Sequence, residues 1–150
     1  MTTHFLNLWK EARSRFQQQM DKISEEDLKK TLGKSPNSLG FLIRHIAEVE
    51  LLFAKNVFQL NAVKITAKTI IEGEDTGKWT NLQELKEIHE QAFEKLQQAI
   101  KQQSNEDWKK EVTTKEFGTK TLSEAFGRVV SHTAYHTGQM AIINTYGKIN

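Results

Sequence analysis

The chain has 150 residues, with 21 Lys and Arg against 19 Asp and Glu, a net charge of +2 and no cysteine. That length suits one domain with a proper core, and the near-balanced charge leaves no footprint for nucleic acid or an acidic membrane. The missing cysteine excludes disulfides, thiolate metal ligation and a protein-borne thiol nucleophile.

No run approaches the roughly 20 apolar residues of a membrane span. The first ten residues lack the basic start and apolar core of a signal peptide, so a cytoplasmic protein is expected. A single proline and many Gln, Lys, Glu and Leu residues favour long helices. The first is predicted over residues 3–22. Phe5, Leu8, Trp9, Ala12, Phe16 and Met20 recur at helical spacing, with Lys10, Arg13 and Arg15 around them. His4, at its start, is expected to face water. Short turns follow over 24–32, and Gly33 and Pro36 punctuate the chain.

Ser38 is placed to cap a second helix running to about residue 60. Its stripe is Leu42, Ile46, Val49, Phe53 and Val57, with His45 on the flank and Glu48 within hydrogen-bonding reach of that imidazole. Residues 61–79 are weakly patterned. Lys64 to Ile71 reads as extended, and Gly73, Asp75 and Gly77 mark turns. A connection this long exceeds a simple helix hairpin and can cross a whole bundle. The third helix opens with a capping box at Thr80-Asn81-Leu82-Gln83 and carries His89 on its apolar face. With no second histidine at helical spacing, His89 reads as a packed residue. Residues 112–115 and 117–120 are compatible with a small hairpin turning near Glu116.

The fourth helix opens with a capping box at Thr121-Leu122-Ser123-Glu124 and stops at Gly147. Leu122, Ala125, Val129, His132, His136, Met140 and Ile143 share one face. Two imidazoles four residues apart on a helix stand one above the other and can grip one ion. The expected architecture is an all-α, four-helix bundle with a long connection between helices 2 and 3. Neighbouring bundle axes lie about 8–10 Å apart, so a histidine on helix 2 can meet the pair on helix 4. Three imidazoles with open positions beside them make a catalytic kind of coordination shell.

Residues 38–50, a helix start followed by Arg44-His45-Ile46-Ala47-Glu48, resemble the second-helix signature of the DinB/YfiT-like superfamily. His132-Thr133-Ala134-Tyr135-His136-Thr137-Gly138-Gln139 resembles its fourth-helix signature, a histidine pair followed by Gly-Gln. Many members carry Arg before Gly-Gln, where this chain has Thr137. The resemblance spans essentially the full length. It implies a four-helix bundle whose metal ligands are His45, His132 and His136, holding a divalent ion such as zinc, nickel or iron. Characterised members include S-transferases and isomerases that use low-molecular-weight thiols. The resemblance therefore implies a small-molecule substrate and a small thiol as partner, and it allows a homodimer.

The motif lacks the Glu of H-E-x-x-H, so a zincin-type base is absent from it. Glu48, Tyr135 and Gln139 are candidates to orient the ligands or accept a proton. Arg128, one turn before His132, is expected to point to solvent. Two classes stay open. One is a metal-dependent enzyme, either thiol-transferring or hydrolytic through an activated water. The other is a metal- or ligand-binding stress protein without turnover. Trp9, Phe58, Trp79 and Trp108 are expected to leave apolar surface that a homodimer would cover.

Overall fold

A computed structural model describes residues 1–149. Five α-helices dominate: α1 (Thr2–Met20), α2 (Leu39–Leu52), α3 (Lys68–Glu72), α4 (Leu82–Lys101) and α5 (Leu122–Tyr146). Two antiparallel ribbons complete it. In one, β1 (Lys30–Thr31) pairs with β4 (Lys148–Ile149); in the other, β2 (Glu111–Thr114) pairs with β3 (Gly118–Thr121). The purely α expectation is corrected by these ribbons. The hairpin was legible from its alternating residues. The β1–β4 pair was not, because two-residue strands carry no periodicity and meet only once the helices are packed.

Local chemistry sets the helix starts. Ser38 Oγ accepts the Phe41 N–H at the start of α2. Thr121 and Glu124 form a reciprocal capping box at the start of α5. Each such cap stabilises its helix by about 1 kcal/mol. At α4 the cap is Asn81, one residue later than expected, because its side chain rather than that of Thr80 reaches the Glu84 N–H. Gly147 ends α5 with an ordinary φ of −69°. It is needed for space: a Cβ there would lie 2.4 Å from the Ile143 carbonyl oxygen.

Helix α1 packs on α4 and α5, and α2 packs on the same two. One core cluster gathers Trp9, Leu51, Leu96, Ile100, Trp108 and Phe126; the other gathers Phe16, Leu28, Ile43, Ile46 and Met140. Trp9, Phe58 and Trp108 are at most 4 % exposed, and Trp79 packs against the second cluster. The expectation that these aromatics leave surface uncovered is therefore wrong for Trp9, Phe58 and Trp108, while Trp79 is only half-buried. The segments at 53–63 and 107–109 fold over the helix ends and bury rings that a bare helical core would expose.

The second helix keeps α geometry only to Leu52, then widens into a π turn over Phe53–Val57. The connection after it, expected to be extended over 64–71, is instead helical from Lys68 onward, where α3 forms. Three fastenings hold the connection to α2. Glu48 accepts the N–H groups of Lys68 and Thr69, and Asp75 accepts the Ser38 N–H at 2.7 Å. The Trp79 backbone lies so close to Gly40 that a Cβ there would meet its carbonyl oxygen at 1.9 Å. This strapping lays α3 beside the middle of α2, where His45 sits.

Candidate metal centre

His45 projects from α2, and His132 and His136 project from α5. The α5 pair stand one turn apart, with ring centroids 4.4 Å apart, and the His45 ring lies 4.9 Å from one and 5.1 Å from the other. The Nε2 atoms of His45 and His132 are 3.1 Å apart. One ring nitrogen from each of the three lies within 4.8 Å of the other two. All three side chains are half-buried. The core positions on this part of α5 are Thr133 and Thr137, so the histidines line its edge instead of the buried stripe. That offset leaves them packed yet reachable from outside.

Burial holds all three imidazoles neutral. It is the main cause that brings His45 down to about 4, helped by the neighbouring His136 and opposed by Glu48. His132 falls to about 3 through burial, then through His136, His45 and Arg128. His136 is lowered by burial and partly restored by Gln139. Neutral imidazoles offer lone pairs, which metal ligation requires. Two of the rings have their other nitrogen engaged: His45 Nδ1 lies 3.1 Å from Thr69 Oγ1, and His136 Nδ1 lies 2.6 Å from Gln139 Oε1. His132 Nδ1 is buried without a hydrogen-bond partner among the described residues. The donor set fits a divalent ion. Two nitrogens that each bound one ion at roughly 2.0–2.1 Å would sit about 3–3.4 Å apart, and the His45–His132 spacing of 3.1 Å falls in that range. Among the described residues no carboxylate joins the group, so an ion held there would keep coordination positions open for water or substrate.

Residues 8–140 match the family model of the DinB superfamily. The chain belongs to the DinB superfamily. Among solved structures, the crystal structure of the mycothiol-dependent maleylpyruvate isomerase superposes with a TM-score of 0.72 at 18% identity. A histidine-to-alanine mutant of that isomerase superposes at 0.68 and 16%. Each match covers 93% of this chain and 60% of the other, so the chain spans about 60% of those neighbours' length. At such identities the likeness is one of fold. No curated protein sequence matches this chain.

Around this DinB-superfamily site, the other candidates fall in different places. Glu48 is fully buried, but Thr69 stands between it and His45. Its carboxylate takes Arg44 Nε at 2.7 Å and the start of α3. Gln139 touches His136 directly and donates at 3.3 Å to the hydroxyl of Tyr135. Tyr135 is 65% exposed, its ring edge-on to His136. Arg128 is exposed as expected and reaches Glu116 of the hairpin at 3.3 Å. A cavity of about 290 Å³ opens beside His132, walled by Val49, Phe53, Arg128, Ser131 and Tyr135. Among the described residues no helix is long and apolar enough to cross a membrane.

Sequence reasoning missed Thr69, which lies in the weakly patterned connection. It also missed a second polar cluster: Arg13, Glu50, His89 and Thr133, all at most 6% exposed. A signal for it existed. Arg13 is four residues after Trp9 and three before Phe16, on the stripe that the fold buries.

Proposed function

We propose that this chain is a single-domain, four-helix-bundle enzyme of the cytoplasm in which His45, His132 and His136 hold a divalent ion. Its reaction transfers a low-molecular-weight thiol to a small electrophile. The observation that carries the reading is the convergence of three neutral ring nitrogens within 4.8 Å beside a cavity. An all-imidazole set suits zinc, nickel or iron. When bound, the ion acts as a Lewis acid that lowers the pKa of a thiol or water at its open positions.

The chain's own residues do the remaining work. The histidines orient the site, Gln139 holds His136, and Val49 and Phe53 give the cavity beside His132 an apolar wall. A cysteine-free chain needs its sulfur from outside. The fold neighbour's mycothiol dependence supports a small thiol as that source. In the same reading the exposed α5 residues Tyr135, Ile142 and Tyr146 pack against a second copy; a monomer mass by light scattering at micromolar concentration would reject that part.

The test is metal analysis of the purified protein, followed by turnover of an electrophile panel with and without a panel of small thiols. The expected result is close to one ion per chain and turnover that needs metal and thiol together. Full-rate turnover without thiol would make the chain a hydrolase. Metal-loaded protein that turns over neither electrophiles nor esters would make it a binding module.

A further inference from the structure

Thr69 is the point where the strapped connection touches the histidine triad. Four donors surround the buried Glu48 carboxylate: Arg44 Nε at 2.7 Å, Lys68 N–H at 3.1 Å, Thr69 N–H at 2.8 Å and the Thr69 hydroxyl at 2.5 Å. With both oxygens accepting, the single hydroxyl proton of Thr69 is committed to Glu48. The hydroxyl oxygen is also 3.1 Å from His45 Nδ1. With its proton spent, it can only accept, so the proton between them belongs to His45 Nδ1. The neutral ring then carries its lone pair on Nε2, the atom that faces His132 Nε2.

We propose that Thr69 is a positioning residue for the triad, holding His45 in the Nδ1–H form with Nε2 presented to the shared site. The inference rests on the metal reading above for its consequence, but the tautomer itself does not depend on a metal. It gives the long connection a task. Residues 61–79 bring to α2 a hydroxyl that α2 cannot supply, because Glu48 lies one turn along and turns toward α3. Gln139 serves His136 in the corresponding way, through an acceptor on the same helix. Partners of this kind fix ring orientation in metal sites, and their removal weakens metal affinity by roughly 10–100-fold.

The experiment compares wild type with Thr69→Val, which keeps the shape and removes the hydroxyl, and Thr69→Ser, which keeps the hydroxyl. Two readouts are taken. Imidazole ¹⁵N shifts of the metal-free protein report the His45 tautomer, and chelator competition reports zinc affinity. Wild type and Thr69→Ser should show the Nδ1–H form. Thr69→Val should show a mixture or the Nε2–H form, with zinc affinity lower by roughly 10–100-fold. Thr69→Ala, which keeps the backbone bond to Glu48, repeats the measurement should the valine variant not fold. An unchanged tautomer and affinity in the hydroxyl-free variants would overturn the proposal while leaving the metal reading intact. Failure of wild type to bind zinc would overturn the metal reading, and the tautomer would still decide the role of Thr69.

Discussion

The three-histidine group and the buried polar cluster around His89 differ in what their ring nitrogens are doing. Between α2 and α5, three half-buried rings turn nitrogens toward one another, and the partners of His45 and His136 sit on the far side of each ring. Near α1 and α4, His89 is buried and both of its nitrogens are engaged. Nε2 donates to the Ile43 carbonyl at 2.6 Å, Nδ1 accepts from Arg13 Nη1 at 2.9 Å, and the ring stacks on Phe16 at 4.2 Å. The Arg13 charge is met by Glu50, whose Oε2 lies 3.2 Å away, though out of line for a hydrogen bond. Thr133 and Trp9 donate to the other oxygen of Glu50. Burial pushes the Glu50 carboxyl up, and Arg13 draws it part of the way back. A cavity of about 770 Å³ opens over Arg13 and His89, larger than the one beside the triad, yet it meets no free ring nitrogen. Ring nitrogens from three histidines turned toward one another, and neither cavity size nor the presence of histidine, distinguish a candidate ligand set from a structural core.

The largest expected effect tests the triad. His132→Ala or His136→Ala should lose the bound ion, because two imidazoles cannot close the shell; elemental analysis reads this directly, and unchanged metal in both variants would refute the assignment. Arg13→Met should do the opposite. It leaves the Glu50 carboxylate buried without its counter-charge, so chemical denaturation should show a loss of about 3–5 kcal/mol, while the folded protein keeps its metal. His89→Gln comes next, at about 1–3 kcal/mol from imperfectly replaced hydrogen bonds, again with metal content intact. Metal lost from a folded His89→Gln protein would erase the contrast between the clusters.

Acid sharpens the comparison most gently. His45, His132, His136 and His89 all have folded pKa values below the usual histidine range, His89 through burial first and the Arg13 charge second. Below about pH 6.5 the unfolded chain binds protons that the folded chain refuses. Stability of the metal-free protein is therefore held above that pH and lost as pH falls toward the folded values. Glu50 runs the other way, since its raised pKa yields stability that is lost as pH rises. Four histidines outweigh one carboxyl, so denaturant melts should show lower stability at pH 5 than at pH 7. His89→Gln should reduce that slope by up to one proton's worth, about 1.4 kcal/mol per pH unit. A flat profile in the unsubstituted protein would show that the rings are not held neutral.

Much of the frame was legible because its causes are local. The caps at Ser38 and Thr121 satisfy backbone donors within three residues, the 111–121 hairpin follows from alternation, and the one-turn spacing of His132 and His136 is helix geometry. Arg13 and Glu50 were harder to read. A charged residue on an apolar stripe looks like a boundary residue until its counter-charge arrives from another helix, here 41 residues beyond Trp9, their shared neighbour.

By itself the sequence determined the four long helices, the histidine pair on one turn of α5 and the family signatures around it, since each depends on residues close together in the chain. Tertiary structure alone decided how deep Thr133 lies beside that pair, and that the connection carries Thr69 to His45 across 24 residues of chain. It also decided that Trp9 and Trp108 are covered and that β1 finds β4. The physical reason is the same in each case. Lone-pair direction, charge pairing and burial depend on groups from distant parts of the chain, and periodicity registers only which face of its own helix a residue occupies.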